Sequence, residues 1–231
     1  RNVQAQITPE VAVKKDRSPV TVADFASQAI VCRVLGDAFA SDPIIAEEDS
    51  AFLRMAGNEP FLDSVQRELA AITPSPSKEG ILSWIDRGGA SEFSQRFWTL
   101  DPIDGTKGFV RKEQYAVSLA LVIDGQIQIG VLGCPNLPTA DAWDRRQGAL
   151  FSAVRGSGAQ MRPLDDPAAA AQAVRVSSTA RASAARMCES VESGHSSHSD
   201  SQQISQMLGM SGEPVRLDSQ AKYAVVARGE A

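Results

Sequence analysis

Trp98–Phe109, with the sequence WTLDPIDGTKGF, is the stretch on which the interpretation of the whole chain depends. An apolar run stops there at Asp101 and Asp104, and two carboxylates this close repel each other unless a cation, a proton or a basic side chain lies between them. Lys107 and Arg111 follow closely, so a salt-bridged turn is one interpretation. The other is a hard-cation site, because Mg²⁺ prefers carboxylate oxygens, carbonyls and water and leaves room for phosphate oxygens.

The backbone of this stretch favours the cation site. Pro102 has no N–H to lose and fixes the chain between the aspartates, which helps to turn the Ile103 carbonyl toward the same point. Gly105 and Gly108 permit tight turning, and the amides of Gly105 and Thr106 could hold an anion at the start of a helix. The spacing does not supply the D-x-[DN]-x-[DN]-G pattern of an EF-hand. The stretch therefore predicts metal-assisted phosphate chemistry.

Composition bounds the class of protein. The chain has 231 residues, 43% hydrophobic and 22% charged, enough for a substantial core in one large domain or two small ones. A net charge of −5 without a basic block argues against a nucleic-acid polymer as partner. The longest apolar run, residues 116–123, is too short to span a bilayer, so we expect no membrane partner. Three widely spaced cysteines indicate a reducing, cytoplasmic location and no zinc site.

Two segments before the signature carry further acidic residues. Residues 18–24, SPVTVAD, lead into an apolar helical pattern, and either Thr21 or Asp24 is expected to cap that helix. Residues 44–50 form an apolar strand that runs into Glu47–Asp49, for which a solvated acidic turn is the ordinary interpretation.

The remaining sequence predicts a mixture of helices and strands. Residues 51–72 have the pattern of one amphipathic helix. Asp124-Gly125 is a two-residue hairpin signal between strands at 115–123 and 126–132. Residues 164–173, rich in alanine and containing Asp-Asp-Pro, are the best candidate for a linker.

Two motifs in the last quarter of the chain leave alternatives open. His195 and His198 could bind a metal only with a third ligand, so a polar surface loop is the simpler interpretation. Ser219 and Lys222, three residues apart, are compatible with a serine N-cap followed by an exposed lysine.

The signature W-x-x-D-P-I-D-G-T-x-x-F resembles that of the inositol monophosphatase superfamily of Mg²⁺-dependent, lithium-sensitive phosphatases. The version here, DPIDGTKGFVRKEQYAVSLALVIDG, is most similar to the 3′(2′),5′-bisphosphate nucleotidases. The resemblance covers essentially the whole chain and implies an α/β fold, an α+β layered sandwich of the sugar-phosphatase type. It implies a metal-binding part in residues 1–165 and a nucleotide-binding α/β part in residues 166–231. The family's W-D-x-A-A-G motif is not found before Ala231, so we expect that second part to be incomplete.

The resemblance also implies a metal site. The family pattern S-P-V-T-x-x-D makes Asp24 the general base, paired with the Thr106 hydroxyl. The apolar-Gly-Glu-Glu-Ser motif, here with Ala46 for glycine and Asp49 before Ser50, makes Glu47 a ligand and Glu48 its supporting neighbour. Two or three Mg²⁺ ions are implied, with Li⁺ inhibitory, and their ligands are Glu47, Asp101, the Ile103 carbonyl and Asp104.

For the substrate, the resemblance implies contacts from Gly105 and Thr106, from His195 in the G-H-S-S-H loop, and from Ser219 and Lys222 in D-S-Q-A-K-Y. His198 receives no role.

The implied reaction removes the 3′-phosphate of adenosine 3′,5′-bisphosphate (PAP) to give AMP and phosphate, with sulfated adenylate (PAPS) as a second substrate, in sulfur assimilation or nucleotide detoxification. We expect a cytoplasmic monomer whose partner is this small nucleotide. An inositol phosphate phosphatase, a non-catalytic nucleotide-binding module and a carboxylate-rich Ca²⁺-binding protein remain as alternatives.

Overall fold

A computed structural model describes residue 4 and residues 11–13, 19–74, 76–139, 147–166, 168–194 and 196–231. The predicted substrate contact His195 lies outside these residues. The chain forms two compact units, the first made of Arg1–Lys112 with Val117–Val131, and the second of Glu113–Ala116 with Leu132–Ala231. The sequence predicted a boundary after residue 165, between a metal-binding part and a nucleotide-binding part. That position lies inside the second unit, and the division by function stays a prediction.

The first unit contains most of the helices. Its elements are β1 (Val11–Val13), β2 (Pro19–Thr21), α1 (Val22–Ala38), β3 (Ile44–Ala46), α2 (Ala51–Arg54), α3 (Glu59–Ala70), α4 (Lys78–Asp86), β4 (Arg96–Asp104), α5 (Thr106–Val110), nearly all of β5 (Ala116–Ile123) and the first half of β6 (Gln126–Pro138). The strands β1 and β2 pair antiparallel. A seven-stranded sheet begins with the strand order β3-β4-β5-β6 in this unit, and β3 and β4 are parallel.

The second unit is built mainly from strands. Its elements are the end of β6, β7 (Gln147–Val154), β8 (Gly158–Pro163), β9 (Gln172–Val174), a 3₁₀ turn (Ala182–Ala184), β10 (Cys188–Glu189), α6 (His198–Met207), β11 (Val215–Arg216) and α7 (Ala221–Ala227). In this unit the seven-stranded sheet continues with the strand order β6-β7-β8-β9, and the strands from β7 to β9 are antiparallel. The strands β10 and β11 form a separate parallel pair. None of the helices in the described segments has both the length and the apolar character needed to cross a bilayer.

The two candidate caps of α1 act together. Thr21 is the N-cap, and its hydroxyl accepts from the Ala23 N–H at 3.1 Å. Asp24, at the third helical position, accepts from the Thr21 N–H at 2.8 Å, which completes a capping box. Phe25, Ala29 and other apolar side chains of the helix are buried in the first unit's core. This apolar surface and the cap together explain why the helix starts where it does.

The predicted hairpin is confirmed, and its second strand is longer than predicted. Asp124 and Gly125 both have positive φ, 52° and 68°, as a type I′ turn requires. The following strand continues to Pro138 instead of ending at residue 132. Glycine and proline at 133 and 135 interrupt the sequence pattern, but Cys134 and Leu137 still bury their side chains in the second unit's core.

The prediction of one helix over residues 51–72 is wrong. Two helices, α2 and α3, occupy this region and are separated by Met55–Asn58. Gly57 has a φ of 94°, which a right-handed helix cannot contain, and Pro60 lies in the first turn of the second helix. The amphipathic sequence pattern continues across the break between the helices, because both helices bury an apolar face in the same core.

That core contains an aromatic cluster around Phe25. Its ring, 1% exposed, stacks on Phe52 at 5.9 Å between centroids and meets Phe61 edge-on at 5.8 Å. We expect Phe25→Ala to lower the free energy of unfolding by about 3–5 kcal/mol, because it removes a buried ring and leaves a cavity. Urea unfolding followed by circular dichroism measures the change. Phe93→Ala, at a ring 82% exposed in the same unit, is the matched control and should cost less than about 0.5 kcal/mol.

Candidate active site

The register between β3 and β4 brings two predicted metal ligands together. The strands are parallel and pair Ala46 with Leu100, and the residue that follows each of these in the sequence is an acid, Glu47 just beyond the end of β3 and Asp101 within β4. Neighbouring strands lie about 4.8 Å apart, which is close enough for these side chains to touch. On the edge of β3 that faces away from β4, the Ala46 N–H donates to the Gly88 carbonyl at 2.8 Å. This hydrogen bond also fixes the position of the strand.

The environment of Asp101 opposes a negative charge. Burial, the charges of Glu47 and Asp104, and a hydrogen bond to the Glu47 carboxyl raise its pKa to about 8, whereas the Ile103 N–H acts in the opposite direction. A hydrogen bond between two carboxyl groups requires a proton on one of them. The Oδ1 atom of Asp101 is buried and has no hydrogen-bond partner among the described residues. The pair therefore needs a positive charge or a proton to be stable.

The turn after Asp101 has the backbone that its sequence predicts. Gly105 takes a left-handed conformation, with φ 84° and ψ 46°, and precedes the short helix α5. The Thr106 hydroxyl donates to the Ile103 carbonyl at 3.2 Å. This contact differs from the predicted pairing of Thr106 with Asp24, and it holds the carbonyl of a predicted metal ligand in place.

Asp24 is a buried carboxyl with a raised pKa. Its side chain accepts from both the N–H and the hydroxyl of Thr21, at 2.8 and 2.6 Å, and the residue is 2% exposed. Burial raises its pKa to about 7, and the charges of Glu48 and Glu47 act in the same direction, against the two hydrogen bonds. The strand β2, which ends at Thr21, contacts α5, so the cap of α1 lies close to the signature turn. A carboxyl that titrates near neutral pH can accept a proton at physiological pH.

The donor set of the first unit fits a hard cation. Within the described residues, no three His, Cys, Asp or Glu side chains already have the spacing of a metal centre. Nevertheless, the buried, unpartnered Asp101 Oδ1, on a carboxyl whose pKa is raised by burial and by the nearby Glu47 and Asp104 charges, marks a position where a cation could lie. The available donors are carboxylates and a carbonyl, which Mg²⁺ prefers.

The predicted substrate residues of the second unit lie at the start of α7. Ser219 is 7% exposed and has a φ of 67°, and its hydroxyl accepts from the Ala221 N–H at 3.2 Å. The Lys222 ammonium donates to the Ser219 carbonyl at 2.8 Å. The residue at the N-cap position is Gln220, so the interpretation of Ser219 as the N-cap is wrong by one position. The left-handed backbone of Ser219 brings the serine and the lysine together.

Comparison with known proteins identifies the family. Residues 2–231 match the inositol monophosphatase family. The chain belongs to this family. It is 40% identical to a 3′(2′),5′-bisphosphate nucleotidase of Emericella nidulans, over 94% of this chain and 68% of that protein. It is 41% identical to 3′(2′),5′-bisphosphate nucleotidase 1 of Arabidopsis thaliana, over 98% of this chain and 69% of that protein.

Solved structures of inositol monophosphatases confirm the predicted fold class. The crystal structure of an IMPase/NADP phosphatase complexed with Mg²⁺ and phosphate superposes with a TM-score of 0.58 at 16% identity, over 99% of this chain and 65% of that chain. At this identity the similarity concerns the fold. The mixed sheet with flanking helices is the α/β arrangement expected from the sequence.

His198 has a contact that the sequence did not predict. Its Nε2 lies 2.8 Å from the Ser190 carbonyl oxygen, so Nε2 must carry the proton and donate. It lines a cavity of about 560 Å³ in the second unit, together with Glu189 and Arg216, whose guanidinium donates to that carboxylate at 2.8 Å. This cavity contains neither Ser219 nor Lys222. His198 therefore makes a structural hydrogen bond within the second unit.

Sequence reasoning missed one residue close to the family's acidic loop. Gln28 follows Asp24 by one helical turn, is fully buried, and hydrogen-bonds the backbone of Glu48 through its Oε1 at 2.9 Å. A glutamine between the apolar positions Phe25, Ala29 and Cys32 was the available signal, since a polar side chain on a buried helix face must find a partner.

Proposed function

We propose that this member of the inositol monophosphatase family is a Mg²⁺-dependent 3′(2′),5′-bisphosphate nucleotidase that converts adenosine 3′,5′-bisphosphate to AMP and phosphate. The observation that carries the proposal is the Glu47–Asp101 carboxyl pair. Burial and the negative charges of Glu47 and Asp104 raise the pKa of Asp101, so a cation at this position would relieve the repulsion. The relatives from E. nidulans and A. thaliana support the choice of substrate, because they are named for it and match nearly the whole chain. Sulfated adenylate is proposed as a second substrate.

The metal ligands in this proposal are Glu47, Asp101, the Ile103 carbonyl and Asp104. Bound Mg²⁺ would polarise the phosphoryl oxygens and lower the pKa of a water, and Li⁺ is expected to inhibit by competing for these ligands. The Thr106 hydroxyl orients the Ile103 carbonyl, to which it donates at 3.2 Å. Gly105 is left-handed at the start of α5, and we propose that the amides of Gly105 and Thr106 bind the phosphate.

Asp24 is the proposed general base. Its pKa of about 7 leaves a large fraction of the carboxyl ionised at neutral pH, and that fraction can take a proton from the attacking water. The two hydrogen bonds from Thr21 hold the carboxylate in one orientation without protonating it. Asp24 is proposed to return the proton to solvent or to the leaving oxygen after the phosphate bond breaks.

Ser219 and Lys222 are proposed to bind the nucleotide, with His195 as a further contact. A single charge-assisted hydrogen bond contributes about 1.5–3 kcal/mol, so we expect Lys222→Met to raise KM for adenosine 3′,5′-bisphosphate about 10–100-fold, with a smaller effect on kcat. Steady-state kinetics measure both constants. Lys78→Met is the matched control, since Lys78 pairs with Asp63 on the surface of the first unit, and its KM should match that of the unchanged chain. An equal KM for the two variants would contradict the proposal that Lys222 binds the nucleotide.

A substrate panel tests the proposal. Phosphate release from adenosine 3′,5′-bisphosphate, sulfated adenylate and inositol 1-phosphate is measured with Mg²⁺, with EDTA and with added Li⁺. We expect Mg²⁺-dependent release from the two nucleotides, with the bisphosphate preferred. Preference for inositol 1-phosphate would favour the alternative phosphatase, and calorimetric binding of the bisphosphate without turnover would favour a binding module.

The proposed setting is a cytoplasmic monomer acting on this small nucleotide. All three cysteines lie in described segments and are thiols, as a reducing compartment requires. The molar mass of the purified chain in solution, measured by light scattering, tests whether it is a monomer.

A further inference from the structure

Both the oxygen and the nitrogen of the Gln28 side-chain amide hydrogen-bond backbone groups of other segments. Its side chain in α1 is 0% exposed. The Oε1 atom accepts from the Glu48 N–H at 2.9 Å, and Nε2 donates to the Ile85 carbonyl at 3.1 Å and also to the Glu48 carbonyl. One side-chain amide thus links α1 to the end of α4 and to both backbone polar groups of Glu48.

Close packing holds the same loop from its second side. A Cβ atom on Gly88 would lie 2.7 Å from the Ala46 Cβ and 2.9 Å from the Gln28 Nε2, so only glycine fits there without displacing a neighbour. The Gly88 carbonyl meanwhile accepts from the Ala46 N–H at 2.8 Å. The loop that carries Glu47 therefore begins at a hydrogen-bonded, close-packed Ala46 and ends at a clamped Glu48.

We propose that Gln28 is a positioning residue, which holds the Glu47 carboxylate at the distance from Asp24 that cation binding and proton transfer require. Asp24 and Gln28 are one turn apart on the same rigid helix, and Glu47 is bonded to the residue that Gln28 clamps. The printed register of β3 on β4 ends at the Ala46–Leu100 pair, one residue before Glu47, so the contacts that Gln28 makes with Glu48 hold the loop beyond the end of the strand. This inference rests on the proposed function.

The test compares two variants that each lose one glutamine clamp. Gln28→Met keeps the side-chain volume and removes the three hydrogen bonds. Gln66→Met is the matched control, because Gln66 in α3 also donates from Nε2 to a backbone carbonyl of the first unit, that of Pro76 at 2.8 Å, away from the acidic loop. Both variants should lose thermal stability, so stability alone does not decide between a positioning role and a structural one.

The deciding measurement is the affinity for Mg²⁺ itself, from thermal shift against MgCl₂ concentration and from calorimetry, without substrate. Groups that orient metal ligands contribute about 10–100-fold to affinity, so we expect Gln28→Met to weaken Mg²⁺ binding at least about 10-fold and Gln66→Met less than about 2-fold. Equal affinities in the two variants would overturn the proposal. An unchanged chain that neither binds Mg²⁺ nor hydrolyses the bisphosphate would instead overturn the proposed function.

A second variant covers the case in which Gln28→Met does not fold. Gly88→Ala retains every hydrogen-bonding group and displaces the loop by steric contact with Ala46 and Gln28. We expect it to weaken Mg²⁺ binding, and the added change Ala46→Gly, which removes the nearest contact, to restore part of that affinity. Wild-type affinity in Gly88→Ala would contradict the proposal.

Discussion

Replacing Asp101 with asparagine is expected to reduce Mg²⁺-dependent phosphate release at least about 10³-fold, because it removes a proposed metal ligand, and a bound metal can supply several kcal/mol of transition-state stabilisation. The same change should stabilise the metal-free protein at pH 8. Asparagine has nearly the same shape, can donate to the Glu47 carboxylate, and carries no charge beside Asp104. Activity and stability would thus change in opposite directions, which loss of folding cannot produce.

The sign of the stability change follows from the raised pKa of Asp101. The folded chain holds this proton up to a pKa of about 8, whereas the unfolded chain releases it near the ordinary value of 3.8. The proton therefore contributes stability that is complete below about pH 4 and is lost as the pH rises through about 8. We expect Asp101→Asn to raise the free energy of unfolding by about 1–3 kcal/mol at pH 8 and by little at pH 4. The gain is smaller than the full pKa shift implies, because the site is partly open to solvent, which screens the charges.

Urea unfolding in EDTA at the two pH values, with phosphate release measured in parallel, tests this expectation. Asp49→Asn is the matched control, since it removes a negative charge from an exposed residue of the acidic loop, whose carboxylate accepts from the nearby Ala51 N–H at 2.8 Å. The control should show neither the gain in stability nor the loss of activity. A destabilised or fully active Asp101→Asn would contradict the role assigned to the carboxyl pair.

Asp24→Asn is expected to lower kcat about 10²–10⁴-fold, the usual contribution of a general base. The helix should survive, because an asparagine oxygen can still accept from the N–H and hydroxyl of Thr21. Activity of the unchanged chain should rise with pH as Asp24 loses its proton, with a midpoint at or below about 7, since a bound cation favours the carboxylate. The residual activity of the variant should lack that rise.

The control for Asp24→Asn is Asp200→Asn. Asp200 occupies the same third position of an N-capped helix, α6, where Ser197 is the cap, but it is exposed on the second unit. Any general effect of removing an acid from a helix start should appear in both variants. Loss of kcat in the Asp24 variant alone, with matching circular dichroism spectra, identifies a proton-transfer role, whereas equal activities would exclude one.

Local features of the fold were predictable because local forces produce them. The Asp124-Gly125 hairpin follows from two residues that tolerate positive φ, and the start of α1 follows from a threonine and an aspartate three residues apart. The break between α2 and α3 was missed because apolar residues on both sides pack in one core, so the pattern continues across Gly57.

The sequence by itself determined the signature turn. Asp101, Pro102, Ile103, Asp104 and Gly105 are contiguous, and the restricted proline and the left-handed glycine act through adjacent bonds, so the close spacing of two carboxylates and a carbonyl needs no distant partner. Only the tertiary structure decided which distant acid joins them. The parallel register of β3 on β4 places Glu47 beside Asp101, and the buried amide of Gln28 clamps its neighbour Glu48 to the helix of Asp24, because strand register and burial depend on packing between distant segments.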